Sequence, residues 1–277
     1  MTKIQISINI PTFNSERTLK LCLDSIIMQE NVSYEVIIVD CGSNDNGSNI
    51  AKEYGVEFFV EKRLRTLGQR RMACEFSSGH FCLLMDSDQV LSRHALSDLM
   101  ALSKQFNVIV LGERSFKPKS ILAKLADLDR LLAQQYYKEQ MDPIHGMLVP
   151  RFYERKLLLR AFERVPLSLD SSPSGWADAL IYHKVSELSD SPPAYLPDSI
   201  FHQDRGSISD FIAHYFEFGK QAKSLTSLYP ELSKLINSKK NGRMLLFRKE
   251  LDFKLRLFSF IYMAMKGVPY QLGTCCV

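Results

Sequence analysis

Of 277 residues only one is tryptophan and six are cysteine, and the cysteines (Cys22, Cys41, Cys74, Cys82, Cys275 and Cys276) form no C-x-x-C pair. No histidine stands near them at metal-ligand spacing, so the common structural zinc modules and a disulfide scaffold are both excluded. We read all six as reduced thiols in a cytosolic protein. No apolar run approaches the ~20 residues that cross a bilayer; the longest, 257–265, is broken by Ser259. An export signal is also lacking, since Met1 leads directly into the alternating stretch 4–10. The terminal Cys275-Cys276-Val277 does not place a cysteine fourth from the end, which excludes the prenylation pattern. With 13 Gly and 11 Pro the chain is neither collagen-like nor of low complexity, and 45% hydrophobic with 24% charged residues is a globular composition. The length suits one large domain, or one domain with an appendage.

Charge is unevenly placed. From Gly206 onward there are 11 Lys or Arg against 5 Asp or Glu, whereas the preceding residues are slightly acidic and the whole chain is +4. A basic face meets phosphates of nucleic acid or of anionic lipid, or is a solvated surface.

The first half alternates between two periods. Ile4, Ile6, Ile8 and Ile10 repeat every second residue up to Pro11, and then Asn14 or Ser15 can cap a helix with Leu19, Cys22, Leu23, Ile26 and Ile27 on its apolar face. A β-rich run at 34–39 ends in the turn Asp40-Cys41-Gly42-Ser43-Asn44-Asp45, residues 50–54 read as helix, and 56–60 as a third strand. A helix over 69–76 leads to a fourth apolar run at 81–85, and a fifth follows at 108–111. Buried apolar runs separated by helices predict an α/β fold with a mostly parallel, Rossmann-like sheet covered on both faces.

In such sheets ligands bind beyond the carboxyl ends of the strands. The polar residues collect there: Thr12 and Asn14 after the first strand, Asp40 and its turn after the second, and Asp86-Ser87-Asp88 after the fourth. Two carboxylates pinned at a strand end can hold a divalent ion by hard oxygen ligands. The second D-x-D, Asp127-Leu128-Asp129, falls in a helical stretch and is read as solvated surface.

Four motifs in order now carry a family likeness. Pro11-Thr12-Phe13-Asn14 with Glu16, Val39-Asp40-Cys41-Gly42-Ser43-Asn44-Asp45, Gly68-Gln69-Arg70-Arg71, and Ser78-Gly79-His80 leading to Met85-Asp86-Ser87-Asp88 resemble the inverting family 2 glycosyltransferases of GT-A fold over about the first 112 residues. The resemblance implies a nucleotide-sugar donor held by Pro11, Thr12, Asn14, Asp40, Gly42, Arg70, Arg71, Asp86 and Ser87. Asp86 would contact ribose, and Asp88 would bind Mn²⁺ or Mg²⁺. His202 is similar to a histidine that completes the metal site in some GT-A enzymes. Cys41 stands where many members have a second carboxylate.

Past Gly112 the pattern is looser, with helices expected over 121–138, 156–162 and 176–188 and a flexible connection over 166–175. Gly175-Trp176-Ala177-Asp178 is similar to the family's Gly-x-Glu-Asp region, with Ala177 replacing Glu, and this likeness makes Asp178 the candidate base and Asp170 the fallback. Trp176 beside it is either an acceptor platform or a core anchor.

Expected domains are a catalytic domain over 1–205, with a donor half 1–112 and an acceptor half 113–205, and a basic amphipathic helical extension over 206–277, in which Gly219 reads as a break. Within 234–256 eight Lys or Arg stand against Glu250 and Asp252, and Phe247, Leu251, Leu255, Phe258 and Tyr262 follow at helical spacing. Residues 234–266 therefore suit an anionic membrane surface, or packing on the catalytic domain or a further copy in a homo-oligomer. No nucleic-acid module is recognisable.

The expected function is metal-dependent transfer of one sugar from a nucleotide sugar, a UDP-sugar in the first instance, to a glycan or lipid-linked acceptor. The expected place is the cytoplasm or the cytoplasmic face of a membrane. The rivals are a nucleotidyltransferase and a non-catalytic nucleotide-sugar-binding or scaffolding protein of the same fold.

Overall fold

The computed structural model describes residues 4–140, 148–172, 175–189, 191–204, 207–228, 230, 233 and 252–276. The expected boundary at Gly206, part of the 166–175 connection and most of the basic stretch 234–256 lie outside the described residues. Two compact units are formed, one from Met1–Gly112, Val149–Pro173 and Ala177–Gln203, the other from Glu113–Leu148, Ser174–Trp176 and Asp204–Val277.

The first unit carries an eight-stranded sheet. In chain order the strands are β1 (Ile6–Thr12), β2 (Tyr34–Asp40), β3 (Glu57–Val60), β4 (Phe81–Leu84), β5 (Gln89–Leu91), β6 (Val108–Ser115), β7 (Pro150–Glu154) and β8 (Ala194–His202). Their spatial order is β3-β2-β1-β4-β7-β6-β8-β5. β3, β2, β1 and β4 are parallel, as the alternating βα pattern requires. Beyond β4 the sheet is mixed, because β7 runs antiparallel to both β4 and β6, and β5 antiparallel to β8.

Buried runs explain this order. Ile6, Ile8 and Ile10 from β1, Val36 and Ile38 from β2, and Phe81 and Leu83 from β4 form one core with Leu19, Cys22, Leu23 and Ile26 of helix α1 (Glu16–Ile27). Ile37 and Val39, on the opposite face of β2, pack with Ala73 of helix α3 (Thr66–Phe76). Between them lies α2 (Gly47–Glu53), and after β5 comes α4 (Ala95–Leu102). β5, α4 and β8 carry no strong periodic signal of their own; β8 even contains Pro197, a residue that ordinarily argues against a strand interior.

The second unit is helical, with α5 (Ile121–Gln140), α8 (Ile208–Leu228) and α9 (Phe253–Cys275); α6 (Arg155–Glu163) and α7 (Ala177–Ser186) belong to the first. Leu122, Ala126, Phe211 and Tyr262 form the core of the helical unit. Gly219, expected as a break, lies inside α8. A Cβ there would stand 2.0 Å from the Tyr270 carbonyl oxygen, and one on Gly273 would stand 2.0 Å from that of Phe216. These glycines let α8 and α9 touch backbone to backbone. The expectation that Asp127 and Asp129 are solvated is also corrected. Asp127 pairs with Arg114 at 2.7 Å and Asp129 with the buried Lys266 at 2.5 Å, and both carboxylates are largely shielded.

Candidate active site

The first two strand ends are closed by a local hydrogen-bond net. Asp40, at the end of β2, is buried; its Oδ1 accepts from Thr12 Oγ1 at 3.0 Å and from the Ser43 hydroxyl, and its Oδ2 accepts the Gly42 and Ser43 amides at 2.7 Å each. Gly42 has φ of 95°, a left-handed conformation that favours glycine, and a Cβ there would meet Lys62 at 2.9 Å. Asn14, with φ of 50°, is fixed from both sides: its amide donates to Ser43 Oγ at 2.7 Å and its Oδ1 accepts from the Asn44 amide.

No side chain caps α1 from Ser15. Instead the two loops exchange caps, since Asp45 Oδ2 accepts the Glu16 amide at 2.8 Å and Glu16 Oε2 accepts the Asn46 amide at 2.9 Å, where α2 begins. Each acid satisfies an orphan N–H of the other helix and sits at its positive end. β1 runs one residue past Pro11, and the Gln69 side-chain amide bridges the Thr12 and Val39 carbonyls.

The carboxylates beyond β4 are held differently. Arg70, only 1% exposed, places Nη2 2.7 Å from Asp86 Oδ1 and Nε 2.8 Å from Asp178 Oδ1. Arg151 places Nη2 3.1 Å from Asp86 Oδ2 and Nη1 3.4 Å from Asp178 Oδ2. Among the described residues, two guanidinium groups and two carboxylates thus form a largely buried cluster. The Arg70 Nε contact is too poorly aligned to be a hydrogen bond, and Arg70 Nη1 is buried with no partner among the described residues. Such orphaned donors are uncommon inside proteins.

Topology assembles this cluster. Antiparallel pairing sets Leu83 opposite Phe152, which brings Arg151 alongside the end of β4. α7 supplies Asp178 in its first turn, where the helix dipole favours a carboxylate. Tyr153 below donates its hydroxyl to the Pro150 carbonyl at 2.7 Å. Burial, and then the Asp178 charge, push its ionisation well above the usual range. Motif reading did not find Arg151. Its signal was an arginine within the apolar strand Pro150–Glu154, since a charge in a buried strand requires partners.

Arg71 takes another role. Its guanidinium pairs with Asp170 at 2.9 Å and donates to the Phe162 and Val165 carbonyls, clamping α3 to the segment that follows α6. Asp170 is therefore committed to Arg71 and only 13% exposed at its side chain. Trp176 falls in the second unit, where its ring stacks on Phe218 at 5.1 Å.

Asp88 and His202 come together through backbone pairing. β5 starts one residue after Asp88, Gln89 pairs with His202, and the Gln203 amide donates to the Asp88 carbonyl at 2.8 Å. His202 Nδ1 then lies 3.9 Å from Asp88 Oδ1, a separation that two ligands can span across one ion with bonds of about 2.1 Å each. The Gln89 side-chain nitrogen lies 3.3 Å from Nε2 and can only donate there, because its oxygen accepts the Asp86 amide; a neutral His202 ring then carries its proton on Nδ1, on the side of Asp88, and would have to shift it to Nε2 to offer Nδ1 to an ion. Among the described residues no group of three or more His, Cys, Asp and Glu is set to hold a metal.

Ser87 donates to Ser15 Oγ at 2.9 Å, tying this turn to α1. Cys22 reaches the Asp86 carbonyl at 3.8 Å; burial first, then the charges of Asp88 and Asp86, push its thiol far up and keep it neutral.

A family model described as glycosyl transferase family 2 matches residues 7–158, more than half of the chain. Among curated proteins, a poly(ribitol-phosphate) beta-N-acetylglucosaminyltransferase, TarP of Staphylococcus aureus, is 30% identical over 135 residues, 43% of this chain and 41% of its own length. A poly(ribitol-phosphate) beta-glucosyltransferase of Bacillus spizizenii is 32% identical over 111 residues, 37% of this chain and 18% of its own. The chain thus spans less than half the length of these relatives. Among solved structures, S. aureus TarS 1–349 in complex with UDP-GlcNAc aligns with a TM-score of 0.57 at 18% identity, covering 98% of this chain and 90% of that one. Glucosyl-3-phosphoglycerate synthase from Mycobacterium tuberculosis, in complex with Mg²⁺ and UDP, aligns with 0.52 at 18% identity, covering 80% and 79%. The likeness bears out the expected GT-A fold.

Proposed function

The chain belongs to glycosyl transferase family 2, and on that premise we propose that it moves one sugar from a UDP-sugar to a hydroxyl of a glycan or lipid-linked acceptor, with inversion. The observation that carries this reading is the convergence of Asp178 and Asp86, 92 positions apart in the chain, on the same two guanidinium groups beyond β4. Asp178 is the base. As the acceptor oxygen bonds to the anomeric carbon, the bond from that carbon to the diphosphate oxygen breaks and the nucleoside diphosphate leaves with the electron pair. The acceptor proton passes to the Asp178 carboxylate.

Pro11, Thr12, Asn14, Asp40 and Gly42 form the nucleotide side, where turn backbone held by Asp40 presents a fixed surface to base and ribose. Arg70, behind Asp86 and Asp178, supplies the positive charge that faces the diphosphate side, and Arg71 steadies the helix that carries it. Asp88 and His202 would hold Mn²⁺ or Mg²⁺, which neutralises charge on the departing diphosphate when bound. The relatives support the donor class: TarS is described with UDP-GlcNAc and the synthase with Mg²⁺ and UDP.

Calorimetric titration of UDP, GDP, CDP and dTDP, each with and without Mn²⁺, tests the reading. UDP should bind, Mn²⁺ should tighten it, and Asp88→Ala should abolish that gain. Binding of none of the four would overturn the proposal.

A further inference from the structure

Asp170 meets helix α3 at three places. Arg65, Gly68 and Arg71 follow one another at three-residue spacing and so share one face of that helix and its N-cap. The Asp170 carbonyl accepts the amide of Arg65, the N-cap residue, at 2.7 Å, an N–H that the helix itself leaves without an acceptor. Its carboxylate pairs with Arg71 at 2.9 Å. A Cβ on Gly68 would stand 2.7 Å from both the Cβ and the carbonyl oxygen of Asp170, so the glycine is what lets the two segments approach so closely.

Asp170 is fixed on its other side as well. It closes a single 3₁₀ turn, Leu167–Leu169, by donating its amide to the Leu167 carbonyl at 3.0 Å, and Leu169 is buried. Eight positions further along the chain stands Asp178. Arg70, the neighbour of Arg71, projects from α3 toward the carboxylates, with its buried guanidinium 2.7 Å from Asp86 and 2.8 Å from Asp178. One rigid helix carries both arginines, so a displacement of the face that Asp170 holds is passed on to Arg70. Contacts this short tolerate little of it: a misplacement of about 1 Å costs on the order of 10²-fold in rate, and reacting groups keep their geometry through the residues packed behind them.

We propose that Asp170 is a positioning residue for sugar transfer. Its carbonyl on Arg65, its carboxylate on Arg71 and its contact with Gly68 set α3, and with it Arg70, against Asp178. This rests on the transfer reaction proposed above, and it gives Asp170 a part other than that of a base, since it acts through Arg70 and not on the substrate.

A double-substitution cycle tests it, with Asp170→Asn and Arg70→Lys made singly and together, and with Gly68→Ala as a variant that alters no charge. The single-turnover rate of UDP release from UDP-GlcNAc or UDP-glucose, and the affinity for UDP, are measured at a temperature where circular dichroism shows each variant folded. Asp170→Asn should react about tenfold more slowly or worse, while binding UDP within about threefold of the wild type. Gly68→Ala should be slowed to a similar degree, although alanine is the better helix former. In the Arg70→Lys background the guanidinium to be positioned is gone, and Asp170→Asn should there cost less than about threefold more. Reaction of Asp170→Asn at the wild-type rate would overturn the proposal. So would an equal loss in both backgrounds, which would mean that Asp170 acts on its own. A wild type that reacts with neither sugar nucleotide would count against the reaction instead; the cycle is then read in urea unfolding, where non-additive losses support the link from Asp170 to Arg70 and additive ones contradict it.

Discussion

The loops after β1 and β2 and the cluster beyond β4 are both built from strand-end aspartates, yet they are stabilised in opposite ways. Asp40 is saturated by short-range donors, two backbone amides and two hydroxyls, three of the four from within its own turn or one residue beyond it. Asp86 is held by guanidinium groups from α3 and β7 that also hold Asp178. One arrangement fixes backbone shape. The other holds charge at a place where only the complete fold can assemble it, and that is where we propose the proton transfer. A strand-end aspartate is thus structural or chemical according to whether amides or arginines claim it.

Substitutions should separate the two regions. Arg70→Ala removes a buried cation that pairs with both Asp86 and Asp178, at a cost of about 3 to 5 kcal/mol. Its thermal midpoint should fall by on the order of 10 °C, and UDP affinity should fall as well because positive charge on the diphosphate side is lost. Asp40→Ala leaves the Gly42 and Ser43 amides without their acceptor and should cost roughly 3 kcal/mol. Urea unfolding would measure that loss, which should come with weaker UDP binding and an intact response to Asp178 substitutions.

The smallest effect concerns Glu35, far from the carboxyl ends of the strands. Burial pushes its carboxyl up, but hydrogen bonds from the Ser7 hydroxyl, the Ser78 amide and hydroxyl and the Gly79 amide outweigh this and hold it below the ordinary 4.5. A depressed carboxylate contributes stability that is present above its unfolded value and lost as pH falls through the folded one. The urea midpoint of the wild type should therefore drop below about pH 4.5, and Glu35→Gln should flatten that part of the profile. Because the group is partly exposed, the difference should stay under about 1 kcal/mol.

What could be read in the sequence follows from the same contrast. The parallel strands were legible because each βα unit is local: β1 alternates up to Pro11, and β2 and β4 end in aspartate turns. Asp86 and Asp88 stood out by their place after an apolar strand. The identical spacing at Asp127 and Asp129 was misread as solvated surface because its partners, Arg114 and Lys266, lie on other elements. Arg151 escaped notice for the same reason, as did the capping roles of Asp45 and Glu16, which cross between two loops. Gly219 read as a break because glycine lowers helix propensity; the close approach of Tyr270 that requires it is tertiary. β8 was hidden by Pro197, although it delivers His202 to Asp88.

The central claim is that Asp178 takes the acceptor proton. Single-turnover transfer from a UDP-sugar by Asp178→Asn, with UDP affinity measured alongside, tests it most directly. The account predicts that transfer falls by about 10² to 10⁴, while UDP binds as it does to the wild type. Transfer at the wild-type rate would contradict it.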